Sequence, residues 1–242
     1  MEVLTLDLAL AAAIAAGAAI AKGFAGFGGG MIMMPLLALI YGPIEAVAIV
    51  TILEGLATYQ LLPRALPKTE WREIAPLAAL TALFTPVGVW ALISLDATLM
   101  RRLIGGLVVA FALITLSGWR YSGPTRPALT LGVGSFAGLL MGGTGLGGPP
   151  VLLYMLARAG PADRARSGII SYFAITITVL FATLLWQGTI GAPTLSRSAV
   201  LTPLFLAGTW LGSRFYGRAN DRTFRRVALS LLVVAGATAI VG

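Results

Sequence analysis

Two ionisable side chains stand inside apolar sequence, and glycine-dense stretches stand beside them. Lys22 immediately precedes Gly23-Phe24-Ala25-Gly26-Phe27-Gly28-Gly29-Gly30, and Glu54 is centred in the apolar run Ile44 to Leu62. The glycine stretch recurs in altered form as Gly142-Gly143-Thr144-Gly145-Leu146-Gly147-Gly148-Pro149. Glycine at this density exposes peptide N–H and C=O groups, which lipid cannot satisfy, so such segments survive at membrane depth only inside protein or along a wet cavity. Successive N–H groups at a glycine turn, together with the positive end of the helix that follows, hold an anion without a formal charge. Gly26, Gly28, Gly29 and Gly30, and in the second copy Gly143, Thr144, Gly145, Gly147 and Gly148, are therefore candidate substrate-binding residues. Pro149 and Pro150 suit a helix start but remove N–H donors, so the second copy is expected to contact an anion less than the first.

Lys22 has no basic counterpart in the second copy, where Met141 takes the matching place. An ammonium at membrane depth must face water, a carboxylate or an anion. Direct attraction of a ligand, a structural ion pair and snorkelling all remain open for it. Glu54 could pair with Lys22, carry a coupling proton or be hydrogen-bonded within the bundle. Thr51, Ser171, Tyr172 and Gln60 are further polar candidates for coupling or support.

The elements that must position these residues are membrane helices. Of 242 residues, 58% are hydrophobic and 11% charged, against the roughly 25% charged residues of a soluble domain. One transmembrane domain over residues 1–242 follows, with no room for a soluble one. The absence of Cys and His excludes disulfides, thiolate nucleophiles, zinc clusters and haem ligation, so no cofactor and no metal is expected. The net charge of +8 comes from Lys and Arg scattered between apolar segments, which reads as topology signals rather than nucleic-acid binding. Acids rather than bases occupy Met1 to Asp7, so the first helix is expected to be retained rather than cleaved as a signal.

Apolar runs fit crossing helices at Leu4 to Ala21, Ile44 to Leu62, Ile74 to Leu95, Leu103 to Trp119, Ser167 to Trp186, Ser198 to Phe215 and Val227 to Val241. Shorter pieces, Met31 to Ile40, Ala128 to Met141 and Pro150 to Ala157, touch the glycine stretches. At about 15 Å, Met31 to Ile40 spans half of a hydrocarbon core and should enter the membrane without crossing it. Arg101-Arg102-Leu103 matches Arg225-Arg226-Val227, Gly88-Val89 matches Gly212-Ser213 at the same offset, and Gly42-Pro43 matches Gly160-Pro161. These matches divide the chain into repeats at about 1–122 and 123–242, with about five membrane segments each, an odd number that makes them inverted.

Charge placement agrees with inversion. Pro63 to Glu73, Arg120 to Pro127, Arg158 to Arg166 and Arg214 to Arg226 collect most of the 17 Lys and Arg residues, while the alternate loops hold Arg101, Arg102 and Arg197. The former are expected inside the cell and both termini outside. The expected fold is all-α and polytopic: two inverted repeats whose glycine-broken hairpin helices meet near the midplane. Trp71, Trp90, Trp119, Trp186 and Trp210 lie mostly near segment ends, as interfacial anchors do. Lone glycines such as Gly105, Gly106, Gly132 and Gly236 are expected to let helices approach closely.

The sequence resembles the TauE/SafE family of sulfite and organosulfur anion exporters. The resemblance rests on Gly26-Phe27-Gly28-Gly29-Gly30 followed by Pro35-Leu36, and on Gly142 to Pro149 opening the second half, and it covers essentially the whole chain. It implies a multi-pass inner-membrane permease, not an enzyme, whose partners are the lipid bilayer and a small anion such as sulfite, sulfoacetate or a related sulfonate. Nucleic acid is not among the expected partners, and homo-oligomerisation is left open. Nucleotide binding is excluded because no Lys-Ser or Lys-Thr closes either glycine run. A passive anion channel remains the alternative to a secondary transporter, since it could use the same N–H cradle.

Overall fold

A computed structural model describes residues 6–25, 28–117, 127–156 and 162–214. Gly26, the segment Val227 to Val241, Trp119, Gly236 and most of the charge-bearing residues of the loops after α5 and α9 lie outside these residues. The described residues are helical, with no strand among them. In chain order the helices are α1 (Leu6–Ala25), α2 (Gly29–Tyr41), α3 (Pro43–Ala65), α4 (Trp71–Ser94), α5 (Ala97–Leu116), α6 (Pro127–Thr144), α7 (Gly148–Leu156), α8 (Ala162–Trp186) and α9 (Ala192–Arg214).

Local sequence accounts for the ends. Asp7 sits in the first turn of α1 and Lys22 in its last, each charge matched to the helix dipole. Gly42, at φ 84°, turns the chain between α2 and α3, and Pro43 begins α3 where its missing N–H has no intrahelical partner to lose. Asp96 caps α5 by accepting from the N–H groups of Thr98 at 2.9 Å and Leu99 at 3.1 Å.

Among the described residues, six helical stretches are long and apolar enough to cross a membrane: Leu6–Gly23, Pro43–Lys68, Trp71–Ser94, Ala97–Leu116, Pro127–Thr144 and Arg164–Trp186. Two of these are central, because 67% of the α3 stretch and 61% of the α8 stretch are buried, against 33–39% for the others. The outer helices turn Leu83, Trp90, Leu113 and Leu131 outward, the apolar surface that lipid requires. Trp71, Trp90, Trp186 and Trp210 are all exposed.

Two segments differ from the sequence-based expectation. The piece Ala128 to Met141 extends to Pro127–Thr144, long enough to cross, because helix α6 continues through Gly142 and Gly143. Glycine in a helix costs only about 1 kcal/mol, and close packing against α4 offsets it. Conversely, α9 runs from Ala192 to Arg214 yet is not among the apolar spans, since it carries Arg197 and several hydroxyls. Three of those hydroxyls bond within the helix, Ser196 to Pro193 O, Thr202 to Ser198 O and Ser213 to Trp210 O, and Thr194 donates to Glu45 Oε2 at 2.8 Å.

The most extensive helix pairings are α4 with α6 and α1 with α9. Both crossings are made of glycine. A Cβ at Gly142 would fall 2.0 Å from Thr85 O and 2.6 Å from Val89 N, and one at Gly88 would fall 2.3 Å from Leu139 O. In the other crossing a Cβ at Gly23 would lie 2.1 Å from Thr209 O and 2.8 Å from Ser213 N, and one at Gly212 would lie 2.3 Å from Ile20 O. Backbones meeting at this distance leave no space for a methyl group. Of the lone glycines expected to do this, Gly106 and Gly132 do not: nothing among the described residues lies within 4 Å of a Cβ at either.

Gly142→Ala should therefore destabilise the protein by about 1–3 kcal/mol, read as a lowered thermal midpoint in detergent, because the obstructing atoms are backbone. Gly132→Ala should leave the midpoint unchanged or slightly raised. Equal midpoints for the two variants would contradict the close crossing.

Candidate functional site

The site is assembled from the end of α1, the start of α2 and the middle of α3. Lys22 is 1% exposed and Glu54 7% exposed. The Lys22 ammonium donates to Glu54 Oε2 and, at 3.0 Å, to Thr58 Oγ1, one helical turn further along α3. Both side chains are almost wholly buried, so each depends on the other for compensation. Gly29 makes the meeting possible. A Cβ there would lie 2.5 Å from Glu54 Oε1 and 3.1 Å from Lys22 Cβ, so the first residue of α2 is wedged between the two charged side chains.

Helix α2 starts without a side-chain cap, after Gly28 in the left-handed conformation at φ 95°. Only glycine adopts that geometry without strain, and the N–H groups of the first turn stay free of side-chain acceptors. The second glycine stretch also turns at positive φ, at Gly145 with φ 69°, before α7 begins at Gly148.

Both turns open on one cavity of about 30 Å³. Gly28 and Gly30 line it from the first stretch, and Gly145, Gly148 and Pro149 from the second. Met31, Val50, Met141, Leu146, Phe173, Ile177 and Leu180 supply apolar wall, and Thr51 and Glu54 the polar side chains. That volume accommodates about two water molecules. The Thr51 hydroxyl, however, donates to Val47 O at 2.6 Å, within its own helix. Glu54 Oε1 is buried with no hydrogen-bond partner among the described residues.

The remaining candidates lie around this cavity rather than in its wall. Lys22 does not line it; Glu54 stands between the ammonium and the open space. Gly143 packs towards α4, where its Cβ would be 3.5 Å from Gly88 O. Thr144 Oγ1 donates to Leu140 O at 2.8 Å and accepts from Leu146 N at 3.3 Å, which shapes the second turn. Gly147 abuts α6, where a Cβ would lie 2.7 Å from Ala137 O. Tyr172 donates to Thr81 Oγ1 at 3.0 Å, and its hydroxyl lies 3.5 Å from Gly147 O, behind the turn. Ser171 shares a 2.7 Å hydrogen bond with Thr69, beyond the end of α3. Gln60 is exposed. Sequence reasoning missed Thr58, although its spacing of one turn from Glu54 put both on one face of α3. Phe173 carried no such signal; its ring fills the space where Gly148 has no side chain, with a Cβ there 2.3 Å from Phe173 Cζ.

Comparison with known proteins shows the family of the chain. The family model described as "Sulfite exporter TauE/SafE" matches residues 9–239. The chain belongs to the TauE/SafE family. It is similar to a protein of Cupriavidus necator named "Probable sulfite/organosulfonate exporter TauE", with 32% identity over 219 residues, covering 88% of this chain and 86% of that one. No solved structure gives a significant match. As a TauE/SafE member with six apolar spans among the described residues, the chain is a multi-pass membrane transporter and not an enzyme.

Removing one charge of the buried pair should be costly and removing both should not. Lys22→Met is expected to lose about 3–5 kcal/mol of stability, seen as a lower thermal midpoint, and Lys22→Met combined with Glu54→Leu to recover much of it. Additive losses in the double variant would show that the two side chains act independently.

Proposed function

We propose that the chain is a secondary transporter that exports small anions, such as sulfite, sulfoacetate or other organosulfur compounds, across the inner membrane. The observation that carries this reading is the convergence of both glycine turns on one buried cavity, with the uncapped first turn of α2 beside it. An oxyanion leaving water needs N–H donors or cations in exchange. Gly28, Gly29 and Gly30 supply peptide groups at the positive end of α2, and Gly145, Gly147 and Gly148 those at the start of α7. Family membership and the name of the Cupriavidus relative support the substrate class.

Inverted repeats fit the same reading. Gly23 meets Thr209 and Ser213 as Gly142 meets Thr85 and Val89, and Gly212 meets Ile20 as Gly88 meets Leu139. With residues 1–122 and 123–242 as the repeats, each relation in the α1–α9 crossing has its counterpart in the α4–α6 crossing. In that scheme α1–α2 and α6–α7 are hairpins entering from opposite faces, with their glycine tips near the midplane. Ion pairs respect the assigned sides. Arg197 meets Glu45 at 3.0 Å, joining two loops taken as external, and Arg164 meets Glu70 at 2.8 Å, joining two taken as internal. This supports external termini.

The small size of the cavity, about 30 Å³, favours a carrier that binds one ion at a time over a wide channel. Proteoliposomes should therefore show sulfite flux that saturates and is inhibited by competing sulfonates, without single-channel currents. Flux proportional to concentration, with currents, would favour a channel. Absence of flux over a broad anion panel would remove the transport reading.

A further inference from the structure

An anion that enters this cavity meets a carboxylate before it meets the lysine. Glu54 lines the space and Lys22 does not. One Glu54 oxygen holds the ammonium, while the other is buried, without a partner among the described residues, and close to the first residue of α2. The carboxylate thus already occupies the position that the Lys22 ammonium and the α2 N-terminus would offer to an anionic ligand. We propose that Glu54 is the site's resident anion: a transported anion binds by replacing it as the partner of Lys22, and Glu54 takes up one proton as it is displaced.

The proposal rests on the anion-transport reading above and adds its coupling rule. Charge conservation at membrane depth supplies the argument. Without ligand, the Lys22 ammonium and the Glu54 carboxylate sum to zero. Adding a monovalent anion would leave a net negative charge in a site with almost no exposure, which is expensive. A proton taken from solution onto the Glu54 carboxylate restores neutrality. The Lys22 N–H group then donates to the anion instead of to Glu54, and no electrons are transferred. Both the empty and the loaded site are neutral, so a monovalent anion and a proton move together.

The surroundings leave Lys22 as the charge that controls Glu54. Helix α2 presents Gly29 and Gly30 to it, and the cavity wall from α8 is Phe173, Ile177 and Leu180. Thr58, on the same helix, is neutral and accepts from Lys22. From α8, Arg166 donates to Gly23 O at 3.2 Å, one residue beyond Lys22 in the chain. From α9, Arg197 is engaged with Glu45 in the first turn of α3, more than two helical turns from Glu54. Because the carboxylate lines the cavity, displacement of Glu54 also makes room for the anion beside Lys22.

The test is calorimetric binding of methanesulfonate, which keeps one negative charge throughout, and of sulfite to the purified full-length protein. Measurements run from roughly pH 5.5 to 8.5 in buffers of differing ionisation enthalpy, which report protons taken up. The wild type should take up one proton per methanesulfonate at the alkaline end, with affinity falling about tenfold per pH unit there. Glu54→Gln, which cannot compete for Lys22 as an anion, should bind at the alkaline end at least about tenfold more tightly, without proton uptake. For sulfite, the difference in proton uptake between wild type and variant cancels the anion's own titration. Wild-type binding without proton uptake would overturn the proposal, and that measurement stands even where the variant fails to fold. A folded Glu54→Gln protein that keeps the wild-type pH slope would overturn it equally. Should neither anion bind at any pH, the anion-site reading itself fails, which is a different outcome.

Discussion

A lysine and a glutamate, both almost wholly buried, meet beside a residue that has no side chain. That one contact ties together three helices. The last turn of α1 brings Lys22, the middle of α3 brings Glu54 and Thr58, and the first residue of α2 must be glycine for the pair to close. The pair also determines what the cavity offers a ligand. Its wall carries the carboxylate, with the ammonium one contact behind. On the proposed reading, an anion site built on these helix N-termini is not an open cradle but one in which a negative group already sits.

Glycine performs two different tasks in adjacent positions. Gly23, Gly142, Gly88 and Gly212 sit where two backbones touch, and any larger residue would collide with main-chain atoms. Gly28 and Gly145 instead adopt positive φ and turn the chain, with open space or a flexible methionine where a side chain would go. The first group holds α1 to α9 and α4 to α6. The second group precedes α2 and follows α6, and lines the cavity beside the starts of α2 and α7. Because the two groups are neighbours in sequence, the same runs that clamp the bundle also position the peptide N–H groups. Substitutions within one run should therefore separate stability from transport.

Much of this was legible in the sequence, and particular residues explain where legibility stopped. Lys22 and Glu54 stood out because an ionisable group in an apolar run demands a partner. Most helix positions followed from apolar run length. Reading the glycine runs as interruptions from their first residue was too coarse: α1 continues through Gly23 to Ala25 and α6 through Gly142 and Gly143 to Thr144. A glycine stops a helix only where it turns to positive φ, and sequence does not distinguish that from a glycine against a neighbouring backbone. The same ambiguity reversed the expectation for Gly106 and Gly132, which have open space beside them. Ser171, Thr144 and Tyr172 were plausible donors by type, but their hydroxyls are committed to Thr69, Leu140 and Thr81. Phe173 and Met141 line the cavity through tertiary packing alone, which no local pattern announces.

The central claim is that the Lys22 ammonium and the glycine turn at the start of α2 hold the transported anion in place of Glu54. Its most direct test is a structure of the protein with a sulfonate bound. The account predicts sulfonate oxygens within about 3 Å of Lys22 Nζ and of peptide nitrogens at Gly29 or Gly30, with the Glu54 carboxyl turned away from the lysine. A sulfonate bound elsewhere in the bundle, with the Lys22–Glu54 pair intact, would contradict it.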